Sequence, residues 1–228
     1  QIQIWTAEEI ALALEAAKSS RWQHMIYVAL NTGMRIGELA GLRWSRVTLD
    51  STREGEGGEI LVDTAMISEG KSRRLHRPKT SHSTRTIGIN QDTRQALLEQ
   101  REMLKAEGVK SELVFPTRIG TLLDETKIWA TMQRIIRRAN PRLRAWEADR
   151  LKALRAAGVP RATAVELIAE ELETTEGLRE SLTDVKTISF HDLRHTFASM
   201  MIAAGIDVVR LSRILGHELR GRQPLILY

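Results

Sequence analysis

A short β-forming region interrupts a chain that otherwise carries the apolar spacing of helices. Residues 54–58 have the composition of a glycine-rich turn, and the apolar runs at residues 59–62 and 86–89 have the composition of strands. Helical spacing precedes this region and resumes after it. The pattern therefore predicts a mainly α-helical fold that carries a small antiparallel β-sheet (an α+β fold).

Capping residues and glycines divide the helical part of the chain. Thr6 and Glu9 have the spacing of a capping box, so the first helix is predicted to begin there. Gly33 and Gly216 are suited to ending helices, because glycine readily adopts the left-handed conformation found there. Further helices are predicted at residues 22–31 and 35–42, from residues 92 and 124 onward, and in two parts after residue 190.

Residues 141–182 have a pattern of their own. Gly158 and Pro160 separate two apolar stripes, which predict a helical pair. The first stripe is Leu143, Trp146, Leu151 and Leu154, and the second is Val165, Leu167, Ile168 and Leu172. Residues 166–180 carry six glutamates and one arginine, so we expect them to face solvent or protein rather than DNA. We interpret 141–182 as an insertion in a single domain, residues 1–228.

Composition excludes several classes of site. The 228 residues include no cysteine, so disulfides, zinc–thiolate sites and cysteine nucleophiles are excluded. No apolar run approaches the ~18 residues of a membrane span, and the first residues lack a signal-peptide pattern. We therefore expect a cytoplasmic protein without a membrane partner.

The positive charge is concentrated in one stretch. Lys and Arg number 34 against 29 Asp and Glu, a net charge of +5. Residues 71–85 contain six Lys or Arg, two His and no acid. This distribution suits a polyanion such as DNA, although the net charge alone is equally typical of ordinary soluble proteins.

Arg35 follows a glycine turn at the predicted start of a helix, within the sequence T-G-M-R-I-G-E-L. The amide end of a helix and a guanidinium both favour an anion. The alternative is that Arg35 pairs with Glu38 on the surface.

Lys79 lies in a second polar segment, P-K-T-S-H-S-T-R-T-I, at the expected hairpin tip. Lysine, arginine and hydroxyl groups at such a tip can follow a phosphate backbone. A plain solvent-exposed turn is the alternative.

The third segment is H-D-L-R-H, followed later by L-G-H. His191 and Arg194 are three residues apart, so they share a helix face. The spacing of His191 and His195 is also used for zinc, which leaves a metallohydrolase as an alternative that EDTA would reveal. However, Asp192 stands where the H-E-x-x-H motif has glutamate, and no third ligand is evident, so we predict no metal site.

Taken in order, these segments resemble the tyrosine recombinase family. Its motifs are an arginine within T-G-x-R-x-x-E-L, a lysine on a β-hairpin, H-x-L-R-H, L-G-H and a late tyrosine. The matching residues are Arg35, Lys79, His191, Arg194, His217 and Tyr228. The resemblance runs from about residue 6 to at least residue 217. The stretch before Tyr228 contains Gly221 and Pro224 where the family has a helix, so an altered chain end is the alternative for that residue.

The resemblance implies the catalytic domain of a phage-type integrase that performs site-specific recombination. Tyr228 would attack the scissile phosphate and form a 3′-phosphotyrosyl intermediate, without metal, ATP or any cofactor. Arg35 and Arg194 would bind the non-bridging oxygens, since a guanidinium offers planar pairs of donors. We assign orienting roles to Glu38 and Asp192.

The remaining family residues would move protons. His191 would serve as the general base and, in reverse, as the acid, because a tyrosine hydroxyl with a pKa of about 10 is a poor nucleophile unaided. Lys79 would protonate the 5′-oxygen leaving group, and His217 would donate a hydrogen bond to the phosphate.

The expected partner is double-stranded DNA at specific recombination sites. The residues expected to contact it are Lys71, Arg73, Arg74, Arg77 and Arg85. The resemblance further implies a homotetramer on DNA, accessory DNA-bending or directionality factors, and a nucleoid-associated location in a prokaryotic cell. It also implies a separate DNA-clamping domain upstream of this chain.

Two other functions remain open on the sequence alone. A type IB topoisomerase has similar chemistry but only relaxes supercoils, and H-x-L-R-H with L-G-H favours the recombinase. A non-catalytic DNA-binding regulator would keep the fold, but the charged motif residues are all present, which favours an enzyme.

Overall fold

The computed structural model describes residues 2–50, 57–70, 72–77 and 84–216. The helices are α1 (Ala7–Ala17), α2 (Gln23–Thr32), α3 (Ile36–Ala40), α4 (Gln91–Ala106), α5 (Glu125–Ala139), α6 (Pro141–Ala156), α7 (Arg161–Thr174), α8 (Leu178–Leu182), α9 (Asp192–Ala203) and α10 (Val208–Leu215). The strands are β1 (Val47–Thr48), β2 (Gly58–Val62), β3 (Ala65–Glu69), β4 (Ser72–His76) and β5 (Arg85–Ile89). The predicted mainly α-helical fold with a small antiparallel sheet is confirmed.

The chain divides into two compact units. The first, the sheet unit, comprises residues 1–4, 21–129 and 188–228, and the second, the helical unit, comprises residues 5–20 and 130–187. Among the helices of the described residues, none is long and apolar enough to cross a membrane.

Helix α2 forms the centre of the sheet unit's core. It contacts α4 and α9, and side chains such as Met25 and Leu30 are fully buried. The helix ends at Gly33, whose φ of 62° lies in the left-handed region. A Cβ at Gly33 would come within 2.4 Å of Cδ1 of Phe197 on α9. Glycine therefore permits both the turn and the close packing of α9, which brings the start of α3 next to α9.

Strands β1, β2 and β5 form an antiparallel sheet in that order. Ile60 of β2 lies opposite Ile87 of β5, and both are buried. Side chains of β5 alternate, so that Arg85, Ile87 and Ile89 share the buried face. The strands predicted from residues 59–62 and 86–89 are thus confirmed.

A separate hairpin lies between β2 and β5 in the chain. Strands β3 and β4 pair antiparallel, and Gly70 between them has a φ of 59°. The sequence predicts only a hairpin connection between residues 62 and 86, and it does not predict β3 and β4, which lie within that connection. Both faces of β4 carry exposed or half-buried side chains, so its sequence lacks the apolar alternation that reveals a strand.

The helical unit begins with the capping box that the sequence predicted. The backbone N–H of Glu9 donates to Oγ1 of Thr6 at 3.3 Å, and the N–H of Thr6 donates to Oε2 of Glu9 at 2.8 Å. Two donors at the start of α1 are thereby satisfied, which confirms the predicted helix start.

Residues 141–182 form α6, α7 and α8, which pack against one another. Asn140 joins the two ends of this segment. Its Nδ2 donates to the carbonyl of Val185 at 2.8 Å, and its Oδ1 accepts from the N–H of Val185 at 2.8 Å and from that of Asp184 at 2.6 Å. The segment therefore begins and ends at neighbouring points, while its status as an insertion stays a prediction.

Candidate active site

Arg35 directly precedes α3 in the sheet unit. Its backbone is extended (φ −69°, ψ 153°), and its N–H donates to Oε2 of Glu38 at 2.7 Å. Nη1 of its guanidinium donates to Oε1 of Glu38 at 3.1 Å. The Arg35 side chain is nevertheless 40% exposed, so part of the guanidinium is accessible to an anion.

Arg194 enters the same region from α9. Its side chain is buried, and its guanidinium is held by backbone carbonyls from two other parts of the unit. Nη1 donates to the carbonyl of Gly33 at 2.8 Å, and Nη2 donates to the carbonyl of Leu215 at 2.5 Å. These contacts fix the guanidinium beside the turn that carries Arg35.

The charge of Arg35 acts on the buried guanidinium of Arg194. Burial, and after it the charge of Arg35, lowers the pKa of Arg194 to about 9, despite the opposing effect of Glu38. Arg194 therefore stays protonated at neutral pH, but it lies in a site with an excess of positive charge. A bound anion would relieve this repulsion, so the geometry is suited to a phosphate.

Glu38 is the carboxylate that stabilises this cluster. Arg85 donates to it from both ends of its fork: Nη1 to Oε1 and Nη2 to Oε2, each at 2.9 Å. Burial raises the pKa of Glu38, but the hydrogen bonds and charge of Arg85, helped by Arg35, outweigh burial and lower it. Glu38 is therefore ionised at neutral pH.

The position of Arg85 does not support the expectation that it contacts DNA. Its side chain is only 6% exposed, and besides pairing with Glu38 it donates from Nε to the carbonyl of Ile214 at 2.6 Å. Nε and both Nη nitrogens of Arg85 are thus bonded within the protein, which assigns it a structural role in this arrangement, and its contact with DNA stays a prediction. Arg85, Ile87 and Ile89 occupy every second position of the strand. This spacing is the signal in the sequence that Arg85 points to the same buried face as the two isoleucines.

His191 lies at the start of α9, three residues before Arg194. Its ring meets that of His195 edge-on, with centroids 5.1 Å apart. Partial burial lowers the pKa of His191, and the neighbouring His195 and Arg194 lower it further. The ring is therefore neutral at pH 7 and can accept a proton.

Asp192 holds the turn that precedes α9. Its Oδ2 accepts from the N–H of Ser189 at 2.8 Å and from the Ser189 hydroxyl at 2.7 Å. These bonds fix the chain immediately before His191. Within the described ranges there is no group of three or more His, Cys, Asp or Glu that could hold a metal ion.

Residues 4–157 and 160–220 match the model of the phage integrase family. The chain belongs to the phage integrase family. The resemblance to tyrosine recombinases seen in the motifs is thereby confirmed.

A curated relative of this chain is a "Tyrosine recombinase XerC-like" protein of Caldanaerobacter subterraneus subsp. tengcongensis. The two are 26% identical over 232 residues, which cover 96% of this chain and 48% of the relative. The chain thus spans about half the length of that protein.

Solved structures show the same fold at low sequence identity. The Tn1549 transposon integrase in complex with transposon right end DNA is similar with a TM-score of 0.66 and 19% identity, over 95% of this chain and 58% of that one. The XerA recombinase has a TM-score of 0.56 and 19% identity, over 95% and 55%. A lambda integrase dimer bound to a COC' core site has a TM-score of 0.51 and 17% identity, over 97% and 61%.

Besides Arg85 and Asp192, the predicted site residues fall into three groups. The structure brings Arg35, Glu38, Arg194 and His191 together in the sheet unit, where they influence one another's charge. Arg73 and Arg74 lie apart from them on β4, where they pair with Asp124 and Glu69, and Arg77 follows that strand, exposed. Lys71, Lys79, His217 and Tyr228 lie outside the described residues.

The carbonyl groups that hold Arg194 were missed from the sequence. Those of Gly33 and Leu215 lie 161 and 21 residues away from it along the chain. Any residue type supplies such a carbonyl, so no motif could have revealed this arrangement.

Proposed function

We propose that residues 1–228 form the catalytic domain of a phage-type integrase that cuts and rejoins DNA at specific sites. The observation that carries this proposal is that the arginines Arg35 and Arg194 lie close together. Glu38 accepts a hydrogen bond from Arg35, and the charges of both residues act on Arg194. Two guanidiniums can bind both non-bridging oxygens of one phosphate and neutralise the charge that develops during displacement.

The reaction is a transfer of a phosphoryl group to a tyrosine. The oxygen of Tyr228 bonds to the phosphorus of the scissile phosphate while the bond from phosphorus to the 5′-oxygen breaks. His191 accepts the tyrosine proton, Lys79 gives a proton to the departing 5′-oxygen, and His217 donates a hydrogen bond to the phosphate. The resulting 3′-phosphotyrosyl ester keeps the energy of the broken bond, so attack by another 5′-hydroxyl rejoins DNA without ATP.

The state of His191 supports its role as the base. A ring whose pKa is lowered is mostly neutral at pH 7 and can accept a proton from the tyrosine. Its position at the start of α9, one turn before Arg194, is consistent with action on a group that is bound to the arginines. Asp192 orients this end of the helix through its bonds to Ser189.

The basic residues around β4 are proposed to contact the DNA backbone. Arg74 is paired with Glu69 at the surface, an exposed ion pair that a phosphate can replace at little cost. We assign the same role to Arg73, Arg77 and Lys71. These contacts set affinity and are sensitive to salt, but they do not act on the reacting atoms.

The assembly that acts is proposed to be a homotetramer on double-stranded DNA at recombination sites. Accessory DNA-bending or directionality proteins would join it, and the location would be the nucleoid of a prokaryotic cytoplasm. Integrases and recombinases bound to DNA are among the structures of the same fold, which supports DNA as the partner.

A suicide DNA substrate, nicked next to the scissile phosphate, tests the chemistry. In EDTA, the full-length protein should form a covalent adduct that survives SDS and disappears with protease. Formation of product only when Mg²⁺ is supplied would contradict the mechanism.

The matched control is Tyr228→Phe, which removes one oxygen and should abolish the adduct. An adduct with Tyr228→Phe would place the nucleophile elsewhere. A plasmid with two paired sites separates recombination from relaxation, because a type IB topoisomerase would relax supercoils without exchanging the sites.

A further inference from the structure

The helical unit contains a cavity of about 640 Å³ that the proposed chemistry does not use. It lies between α5, α6, α7 and α8. Its apolar lining includes Leu143, Leu151, Val165, Ile168 and Leu172. Val165 is 53% exposed, so the apolar surface opens to solvent rather than closing into the core. Such an exposed apolar concavity is typical of a binding surface.

The rim of this cavity is strongly basic. Five arginines line it, together with one glutamate: Arg134, Arg137, Arg138, Arg144, Arg179 and Glu147. Arg137 pairs with Glu147, which leaves four uncompensated arginines around the opening. Among the described residues, the side chains of Arg144 and Arg179 have no hydrogen-bond or ion-pair partner. The occupant should therefore present an apolar side chain flanked by carboxylates.

The outer face of α7 has this chemistry. Ala164, Ile168 and Leu172 form its buried face. On the opposite side, Glu166, Glu170 and Glu173 are spaced four and three residues apart, so they form one row. Leu167 lies at the edge of this row and is 40% exposed. In the described part of the chain, these three glutamates have no ion-pair partner.

We propose that the outer face of α7 of one copy docks on the arginine-rimmed cavity of a second copy. Leu167 enters the apolar part of the cavity, while Glu166 and Glu170 meet Arg144 and Arg179 at its rim. Burial of apolar surface contributes affinity, and the opposed charges select the partner and its register.

Another molecule of this chain fits the cavity better than DNA does. Phosphates would satisfy the arginines, but DNA would leave Val165 and the neighbouring leucine side chains in contact with water. This chain itself carries the complementary acidic face, so no other protein is required.

The two surfaces are different patches of the same unit, so the contact is head-to-tail. Such a contact joins copies into a closed ring or an open series, and it does not form a symmetric two-fold dimer. It requires neither DNA cleavage nor any residue of the proposed active site. Its failure can therefore be distinguished from failure of the proposed function.

Sedimentation of the full chain at increasing concentration, with and without a DNA duplex that carries a recombination site, tests the contact. Arg144→Glu and Glu170→Arg should each weaken self-association about tenfold or more, because each brings like charges together. Mixing these two variants should restore association, since the reversed rim of one copy then meets the reversed row of the other.

Two matched controls have the same charge changes elsewhere. Arg155→Glu alters an exposed arginine of α6 outside the cavity, and Glu102→Arg alters an exposed glutamate of α4. Both should associate as the unmodified chain does. Circular dichroism establishes that every variant is folded, as expected for surface positions.

Three outcomes would overturn the proposal. One is unchanged self-association in Arg144→Glu and Glu170→Arg. A second is loss of association that mixing does not restore, which would mean that the two residues do not meet. The third is a monomeric chain whose DNA affinity falls in Arg144→Glu, which would assign the arginines to DNA.

Discussion

Arg85 and Glu38 form a buried, two-pronged ion pair, with both oxygens of Glu38 accepting from the Arg85 fork at 2.9 Å. The pair joins β5 to α3, and the bond from Arg85 to the carbonyl of Ile214 extends it to the end of α10. Strand β5, helix α3 and the end of helix α10 are thus held together at one point. Arg85 is therefore a positioning residue for Arg35, which shares the carboxylate of Glu38.

Replacing Arg85 tests this role through stability. Arg85→Met leaves the buried carboxylate of Glu38 without its main partner, which should reduce the free energy of unfolding by about 3–5 kcal/mol. Urea unfolding at pH 7 measures the loss. The control is Arg74→Met, which breaks an exposed pair and should cost less than about 1 kcal/mol. Equal costs for the two variants would contradict the buried role of Arg85.

The same pair predicts a pH dependence of stability. The pKa of Glu38 in the folded protein lies below the ordinary glutamate value of 4.5, so the folded state binds fewer protons than the unfolded state in that range. The pair's contribution is fully present above about pH 5 and decreases as pH falls through the folded pKa. The stability difference between the unmodified chain and Glu38→Gln should therefore shrink below pH 4.5. A difference that stays constant down to pH 3 would contradict the lowered pKa.

The fold could be predicted from the sequence where its signals are local. The capping box of Thr6 and Glu9 spans four residues, and the apolar alternation of β5 spans five, so both signals are local and detectable. Strand β4 was not detected because polar side chains occupy both of its faces.

Sequence reasoning fails in the site where contacts are distant along the chain. It identified Arg35 and Arg194 from their motifs, but Arg85 was assigned to DNA contact. Its partner Glu38 lies 47 residues away, and Ile214 lies 129 residues away. Pairings at such separation depend on the packing of the whole unit, which no local pattern encodes.

Arg35→Ala should affect catalysis far more than DNA binding. Removal of one guanidinium from the phosphate site should cost about 3 kcal/mol of transition-state stabilisation, or roughly 100-fold in cleavage rate. DNA affinity should fall much less, because other basic residues still contact the backbone. Single-turnover cleavage and filter binding with the same duplex measure the two effects.

Arg74→Ala is the matched control for Arg35→Ala. It should weaken binding and reduce its salt dependence, with a small effect on the cleavage rate at saturating DNA. If Arg35→Ala reduced binding and cleavage by equal factors, Arg35 would be a positioning contact rather than a ligand of the transition state.

His191 should titrate below the ordinary histidine value of 6.5, because burial and its cationic neighbours lower its pKa. The cleavage rate at saturating DNA should therefore rise with pH to a plateau that is reached before about pH 7, as the ring loses its proton. NMR titration of His191, assigned by comparison with His191→Gln, should give the same midpoint. An acidic limb that persists unchanged in His191→Gln would exclude this residue as the base.

Replacement of residues 141–182 with a short glycine-containing linker should give a folded protein. Asn140 holds the two ends of the segment together through its bonds to Val185 and Asp184, so the linker closes a short gap. The unfolding transition of the deletion variant should remain cooperative, as measured by circular dichroism during heating. Self-association through the cavity should be lost, because the deletion removes α7 together with Arg144 and Arg179.

The outcome of that deletion depends on whether α6, α7 and α8 mainly bury their apolar faces against each other. Ala164, Ile168 and Leu172 are buried on α7, and α7 contacts α6 and α8. Removing all three helices therefore removes both sides of these contacts and leaves few apolar side chains newly exposed. Asn140→Ala, with the segment intact, is the control: it should destabilise the protein by about 1–3 kcal/mol, because buried backbone groups of residue 185 lose their partner. An insoluble deletion variant beside a soluble Asn140→Ala variant would show that the segment belongs to the core and is not an insertion.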